Sequence, residues 1–299
     1  MKPTLLITAG DPLGIGPEIT VKALQDPKIQ RICTPVVIGE ETSLKKAGWT
    51  PQLSALIALS APRLQKTHAP SKEGGLVSFQ AVETGIKLAL KTGAPLVTAP
   101  ISKQSWTLAH IPFTGHTELL RARTKQNGLM MFVGGTLRCG LVTEHFALTH
   151  LPLTQQKIES AALLFQQALK RLGATHPKIA LCAVNPHAGD NGKFGTEEKR
   201  LLHPALKHLQ RKGSFLGPLP SDTAWLAHKA GKYDGLLCMY HDQALLGLKL
   251  ATEEPLVHLT AGLPFLRTSP AHGTAFDIAG KNRASHNSML AAILFALSH

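Results

Sequence analysis

The feature that most constrains the fold is a rhythm. Short runs that are almost wholly apolar alternate with amphipathic stretches, and a polar loop follows nearly every run. The runs are TLLIT (Thr4–Thr8), PVVIG (Pro35–Gly39), PLVTAP (Pro95–Pro100), LMMFVGG, CGLVT, KIALCAV and DGLLCMY. Runs this short and this apolar read as strands buried on both faces. The stretches between them carry helix signals. Pro17 sits in the first turn of a helix that opens after AGDPLGIGPE, and proline is favoured there. Between Lys72 and Lys91, residues Leu76, Phe79, Ile86 and Leu90 mark one apolar face around Glu83. Thr154 is placed to cap a long helix whose inward side is Ile158, Ala161, Phe165, Ala168, Leu169 and Leu172. Thr196 and two glutamates start another helix, which Pro204 breaks or restarts, and Ser285–Leu297 closes the chain as a helix. Buried strands alternating with helices imply an α/β protein with a largely parallel sheet. The 299 residues suit one large domain or two modest ones.

Several function classes fall away. The formal net charge is +13, which can signal nucleic-acid binding. Here the charge is dispersed, its densest stretch KRLLHPALKHLQRKG reads as one solvated helix face, and aromatic residues are too few for stacking platforms. A phosphorylated or carboxylated small molecule suits the same charge. The longest late apolar run, MLAAILFAL, is about half of a membrane span, and the N-terminal run is too short for a signal peptide. A cytoplasmic protein with neither membrane nor nucleic-acid partner is expected. Cys33, Cys139, Cys182 and Cys238 are far apart in sequence, and three lie in apolar runs, so they read as buried free thiols.

Ligands of such sheets bind beyond the carboxyl ends of the strands, and there ionisable residues recur. GDPLGIGPE follows the first strand, and APISK follows PLVT. His150 sits after CGLVTEHFALT, His187 in NPHAGDNG, His241 and Asp242 after DGLLCMY, and Arg267 with SPAHGTAFDIAG after LVHLTAGLPF. Imidazoles suit zinc, cobalt and similar ions. The spacings between His150, His187 and His241 match no local zinc motif, so a metal site and solvated loop histidines both stand on spacing alone. GDPLGIGPE lacks the lysine of a phosphate-binding loop and the spacing of a dinucleotide fingerprint, and it reads equally as a tight strand-to-helix turn. His116 and Thr117 stand at a helix start, where backbone amides favour anions. Lys249 and Arg267 are candidate anion holders.

Together these loops resemble the 4-hydroxythreonine-4-phosphate dehydrogenase family of vitamin B6 synthesis. The matching segments are GDPLGIGPE, TAPISK, IPFTGHTE, THLPL, NPHAGDNGKFGTEE, GPLPSDT, MYHDQ with Lys249 seven residues after Asp242, and GLPFLRTS leading to HGTAFDIAGK. The resemblance implies a two-domain α/β/α architecture like that of isocitrate and isopropylmalate dehydrogenases. Its nucleotide side would be residues 1–125 with 256–299, and its metal and dimer side 126–255. It implies a homodimer with shared active sites, NAD or NADP, and one divalent metal (zinc, magnesium or cobalt) per site. The metal ligands would be His150, His187 and His241. Substrate contacts would be His116, Thr117, Lys249, His258 and Arg267. Gly14, Gly16, His272, Gly273, Thr274 and Asp277 would contact the nucleotide, and Asp242, Asp222 and Lys249 would do the proton chemistry.

The reaction implied is oxidation of 4-phosphooxy-L-threonine followed by loss of CO2, giving 3-amino-2-oxopropyl phosphate. Two positions depart from the family pattern. His258 replaces a common asparagine, which opens the alternative of a phosphorylated four-carbon sugar acid, threonate or erythronate 4-phosphate. Ala271 stands where many relatives have aspartate, which leaves NAD against NADP open. A phosphate acyltransferase of similar architecture would not explain three metal histidines.

Overall fold

The computed structural model describes residues 2–61, 64 and 67–299. Its strands are β1 (Thr4–Thr8), β2 (Thr34–Gly39), β3 (Ala55–Ala58), β4 (Leu96–Thr98), β5 (Leu129–Gly134), β6 (Leu137–Leu141), β7 (Ile179–Cys182), β8 (Phe215–Leu219), β9 (Gly235–Cys238), β10 (Val257–Ala261) and β11 (Arg267–Pro270). Its helices are α1 (Gly16–Leu24), α2 (Pro27–Ile32), α3 (Glu41–Lys46), α4 (Lys72–Thr92), α5 (Lys103–Leu108), α6 (His116–Thr124), α7 (Gln155–Arg171), α8 (His203–Leu209), α9 (Ser221–Lys229), α10 (His241–Ala251) and α11 (Asn287–Ser298). The chain forms two compact units, Met1–Gly128 with Val257–His299, and Leu129–Leu256.

The first unit orders its strands β3-β2-β1-β4-β11-β10. All neighbours run parallel except β10 and β11. Its core packs α4, α5 and α6 on the sheet through Leu6, Val82, Ile86, Leu96, Trp106, Leu119 and Phe265. Each such side chain contributes about 1.5–3 kcal/mol by leaving water. Trp106 also satisfies its indole, donating from Nε1 to Ser78 Oγ at 3.0 Å. Helix α4 forms over the predicted stretch, but its buried stripe is Val77, Ala81, Val82, Ile86 and Ala89; of the face expected from the sequence only Ile86 is buried, Leu76 and Phe79 are half-buried and Leu90 is exposed. Ser71 Oγ caps it by accepting from Gly74 N, and Gly93 ends it in the left-handed conformation.

The second unit orders its strands β5-β6-β9-β7-β8, with β5 and β6 antiparallel and the rest parallel. Thr154 caps α7 as expected, its Oγ1 accepting from Lys157 N. Phe165, Ile158 and Leu169 lie fully buried beneath it. Pro204 falls in the first turn of α8, after a five-residue π-helical segment Glu198–Leu202, so it restarts a helix. The four thiols are free and buried. Cys182 and Cys238, on neighbouring strands, stand 3.9 Å apart at their sulfurs. No helix among the described residues is long and apolar enough to cross a membrane.

In each unit the parallel strands deliver their carboxyl ends to one edge. The residues singled out from the sequence therefore sort into two groups, one per unit.

Candidate active site

In the first unit, Arg267 is not in a loop beyond a strand, as its place after LVHLTAGLPF suggested. It is the first residue of β11, and its side chain is only 1 % exposed. The reason is the antiparallel turn from β10 to β11, which swings Arg267 back across the sheet toward β4. There Nη2 donates to Thr98 Oγ1 at 2.6 Å, and Nη1 donates to Thr260 Oγ1 at 3.1 Å and to His258 Nδ1 at 3.3 Å. Arg267 Nε is buried with no hydrogen-bond partner among the described residues. Burial pushes the Arg267 pKa down to about 9, which still leaves it cationic at neutral pH. A buried guanidinium surrounded by hydroxyls and imidazole is a cation awaiting an anion.

The Arg267–His258 contact fixes a tautomer. A guanidinium only donates, so His258 Nδ1 must accept, and the ring proton sits on Nε2. Ser269 Oγ lies 3.2 Å from the same Nδ1. His258 thus offers a donor at Nε2. His116 begins α6 behind Gly115, and its Nε2 is buried without a hydrogen-bond partner. Burial, then the charge of Arg267, then His258 hold its pKa well below the ordinary histidine value, so the ring is neutral. Thr117 follows it in the first helical turn, half-buried. Arg267, His258 and His116 are thus brought together. Thr98 and Thr260, which fasten the arginine, were invisible in sequence except as threonines at strand ends.

The same unit brings the two expected nucleotide segments into contact. Ile15 N donates to Thr274 O at 2.9 Å. A side chain at Gly14 would meet Thr274 at 3.0 Å, and one at Gly16 would meet Ala9 O at 2.2 Å. Gly16 is therefore required by close backbone approach, and Gly14 fits tightly against Thr274. Asp11 anchors this loop from inside. It is fully buried and accepts from Ser105 Oγ at 2.8 Å and Leu13 N at 3.1 Å, and burial raises its pKa. Beside the loop opens a cleft of about 930 Å³ lined by Leu13, Gly14, Glu40, Lys46, His68, Gly280 and Asn282, among others. His68, which the sequence did not single out, ties the walls together. Its Nδ1 is 2.7 Å from Leu13 O, and its ring lies against Gly280. His272, Gly273 and Asp277 stand exposed on the loop leading to Gly280.

The second unit holds the other group. His241 opens α10, and its Nδ1 is 2.8 Å from Asp242 Oδ1. His150 ends a short turn, and its Nδ1 is 2.8 Å from Thr149 Oγ1. In both rings Nδ1 is engaged, which holds the ring's orientation and leaves Nε2 as the nitrogen facing away from that partner. His187 lies in an unusual loop. Residues His187 to Asn191 all have left-handed φ, from 39° to 83°. Only Gly189 adopts this freely, and the rest cost energy that the surroundings must hold in place. Glu198 holds it. This buried carboxylate accepts from Val184 N, Asn185 N and Asn185 Nδ2 at 2.8–2.9 Å. Burial pushes its pKa up, but those bonds outweigh it and the net shift is downward. In the sequence Glu198, the second glutamate of TEE, carries no signal beyond that of a helix start.

Asp222 lies exposed in the first turn of α9, with only its neighbour Thr223 Oγ1 at 3.5 Å. Lys249 is exposed on α10. No three histidine, cysteine, aspartate or glutamate side chains converge on one point among the described residues. One chain therefore does not bring His150, His187 and His241 together. The elements that carry them are dressed with exposed apolar side chains: Phe146 and Leu148 before His150, Phe194 against the His187 ring, and Leu246 and Leu250 on the helix that His241 begins.

A parallel α/β fold with a buried anion-seeking arginine in one unit and imidazoles on strand-end loops in the other defines a metabolic enzyme for a small anionic substrate. Comparison with known proteins gives the family. Residues 20–296 match the family described as pyridoxal phosphate biosynthetic protein PdxA, and the chain belongs to it. It is 38% identical to a 4-hydroxythreonine-4-phosphate dehydrogenase of Desulfosudis oleivorans, covering 99% of this chain and 96% of the relative. It is 36% identical to a candidate D-threonate 4-phosphate dehydrogenase of Symbiobacterium thermophilum, over 98% and 95%. A solved 4-hydroxythreonine-4-phosphate dehydrogenase from Klebsiella pneumoniae superposes with a TM-score of 0.89 at 33% identity, covering 99% of this chain and 98% of that one. Isocitrate dehydrogenase from Methylococcus capsulatus shares the fold, with a TM-score of 0.53 at 15% identity. The chain is an oxidoreductase of the dehydrogenase type, with the architecture expected from its loops.

Proposed function

We propose that the protein oxidises 4-phosphooxy-L-threonine with NAD or NADP and releases CO2, giving 3-amino-2-oxopropyl phosphate for pyridoxal phosphate synthesis. The observation that carries this is Arg267, a buried cation whose bonded partners are two threonine hydroxyls and an imidazole nitrogen. A substrate bearing both phosphate and carboxylate supplies the missing anion. Arginine meets such groups with paired, charge-assisted hydrogen bonds. His258, through Nε2–H, and His116 and Thr117 at the start of α6 complete the donor set.

The donor set of the second unit fits a divalent metal. Three imidazoles are the ligand type for zinc or cobalt, and His150 and His241 have their Nδ1 atoms already held. His150, His187 and His241 would hold the ion, with a second copy of the chain completing the site. When bound, it supplies Lewis acidity toward the substrate hydroxyl and the carbonyl formed from it. The exposed apolar groups on the histidine-bearing elements support the homodimer, since large exposed apolar patches mark interaction surfaces. Leu250 is 80 % exposed and Leu226 on α9 is 72 % exposed. The cleft between the Gly14 loop and the Gly280 loop is the proposed nucleotide site, and the nicotinamide bound there supplies the hydride acceptor.

The chain's own residues then divide the proton work. Asp242 is committed to the His241 ring and acts through it. Asp222 is the open carboxylate, and it takes the proton of the substrate C3 hydroxyl, directly or through Lys249. Neutral His116 leaves the positive charge of the cradle on Arg267 alone.

A second reading has its own observation. His258 presents only a donor, and a donor suits a substrate oxygen better than an ammonium group. This favours a sugar acid such as D-threonate 4-phosphate, which carries a hydroxyl where the amino acid carries an amine. The test is NADH or NADPH formation by metal-loaded protein with 4-phosphooxy-L-threonine beside D-threonate and D-erythronate 4-phosphates, with and without chelator. Chelator-sensitive turnover of the amino acid is expected. Turnover of the sugar acids alone establishes the second reading, and turnover of none overturns both.

A further inference from the structure

Gln243 belongs to none of the groups above, yet the second unit is organised around it. It is buried on α10, two residues after His241. Every polar valence of its amide that points to protein is used. Oε1 accepts from Met239 N at 2.6 Å. Nε2 donates to Ala183 O at 2.6 Å and to Ser221 Oγ at 2.7 Å. Met239 lies just past β9, Ala183 just past β7, and Ser221 is the first residue of α9. The belt continues through Met239, whose carbonyl accepts from Thr143 N at 3.2 Å and Thr143 Oγ1 at 2.6 Å, just past β6. Four connections leave these points. They carry His150, His187, Asp222, and His241 with Asp242.

We propose that Gln243 is the positioning residue of this site. It fixes the take-off points of the four connections relative to one another, and so sets how the imidazoles and Asp222 are presented. The physical basis is that strand ends leave backbone groups without ladder partners, and buried groups of that kind must be paired. A single amide that pairs two of them and a hydroxyl ties three loops together at one buried point. Leucine at 243 would keep the volume and orphan Met239 N–H and Ala183 O. Glutamate would keep the acceptor for Met239 N–H but set a carboxylate against the Ala183 carbonyl.

This rests on the reading of the three histidines as metal ligands, and the test separates the two. Cobalt(II) binding is titrated by its visible absorption in the native protein, in Gln243→Leu, in Gln243→Glu, and in Leu169→Ala, a buried substitution on the inner face of α7 that lowers stability away from the belt. Support groups behind metal ligands are worth about 10–100-fold in affinity. The expected result is a loss of that size with an altered spectrum in both Gln243 variants, and native affinity in Leu169→Ala. Native cobalt affinity in a folded Gln243→Leu protein overturns the proposal. Should the native protein bind no cobalt, the metal reading fails, and the decision passes to NMR. Gln243→Leu must then shift the ring resonances of His187 and His241 while the amides of residues 158–168 stay in place. Unmoved rings overturn the proposal there as well.

Discussion

The two units solve opposite problems. The first buries its cation. Arg267 is sealed among Thr98, Thr260 and His258, and the cradle is complete within one unit. The second exposes its functional groups. His150 and His187 stand in solvent on braced loops flanked by bare leucine and phenylalanine side chains. A buried charge is costly, and a fold keeps one only where a ligand or partner repays it. Exposed imidazoles are cheap, and they gain specificity only when something else closes over them. The first arrangement therefore reads as a preformed anion cradle. The second reads as half of a site awaiting its other half.

The largest expected effect falls on the exposed side. His187→Ala should abolish cobalt binding and cut turnover by about 10³-fold or more, since a metal supplies several kcal/mol to such chemistry. Its effect on stability should stay within about 0.5 kcal/mol, as for other solvent-facing substitutions. Full chelator-sensitive activity in this variant would break the comparison at once.

Arg267→Met sharpens it from the other side. Losing paired charge-assisted bonds should lower kcat/KM by about 10²-fold or more. The same substitution should leave thermal stability unchanged or higher. Burial depresses the Arg267 pKa to about 9, so the charge is held in an unfavourable place, and an apolar side chain of similar volume relieves that cost. The three hydrogen bonds lost with the arginine, to Thr98, Thr260 and His258, are worth about 1 kcal/mol each. Inorganic phosphate should raise the melting temperature of the native protein but not of the variant. A large drop in stability would make Arg267 a structural group instead.

Leu250→Arg tests the half-site. Sedimentation should show monomers, with turnover falling in step while phosphate still protects the first unit. Dimers with native turnover would remove the proposed interface. Smaller again is His258→Asn, which offers the substrate an acceptor as well as a donor and should raise the amino-acid-to-sugar-acid ratio of kcat/KM by about tenfold, the worth of one hydrogen bond. An unchanged ratio would remove His258 from substrate choice.

The smallest effect is the pH dependence of the cradle. The His116 pKa is lowered in the folded state. As pH falls through 6.5, the unfolded chain takes up a proton that the folded ring refuses, so stability is lost on acidification. The slope from one such group is about 1.4 kcal/mol per pH unit at most. His116→Gln should flatten that part of the stability curve, measured by denaturant unfolding between pH 7 and pH 5. An identical slope in the variant would show that His116 does not titrate this way.

Much of this was legible in the chain. The apolar runs gave β1, β2, β4, β5, β6, β7 and β9, because burial on both faces leaves no room for polar residues; β3 and β8, which are only partly buried, were not among those runs. Thr154 and Pro17 marked helix starts, because capping is a local event. The GDPLGIGPE and HGTAFDIAGK segments were visible as loops, and they touch through Ile15 and Thr274. Less was legible wherever a side chain reaches far along the sequence. Arg267 was one basic residue among many until its partner Thr98, 169 residues away, closed on it. Glu198 and Gln243 carried no signal beyond their identity, because their partners are backbone groups, which every residue has.

The sequence by itself determined the order of the elements, their caps and the residues set at each strand end, since these depend on periodicity and near neighbours. Only the tertiary structure decided that Arg267 is buried and cationic, that His258 carries its proton on Nε2, and that His187 sits in a left-handed turn braced by Glu198. Each depends on which distant groups share one desolvated space, and hydrogen bonds gain their strength and their direction from that exclusion of water.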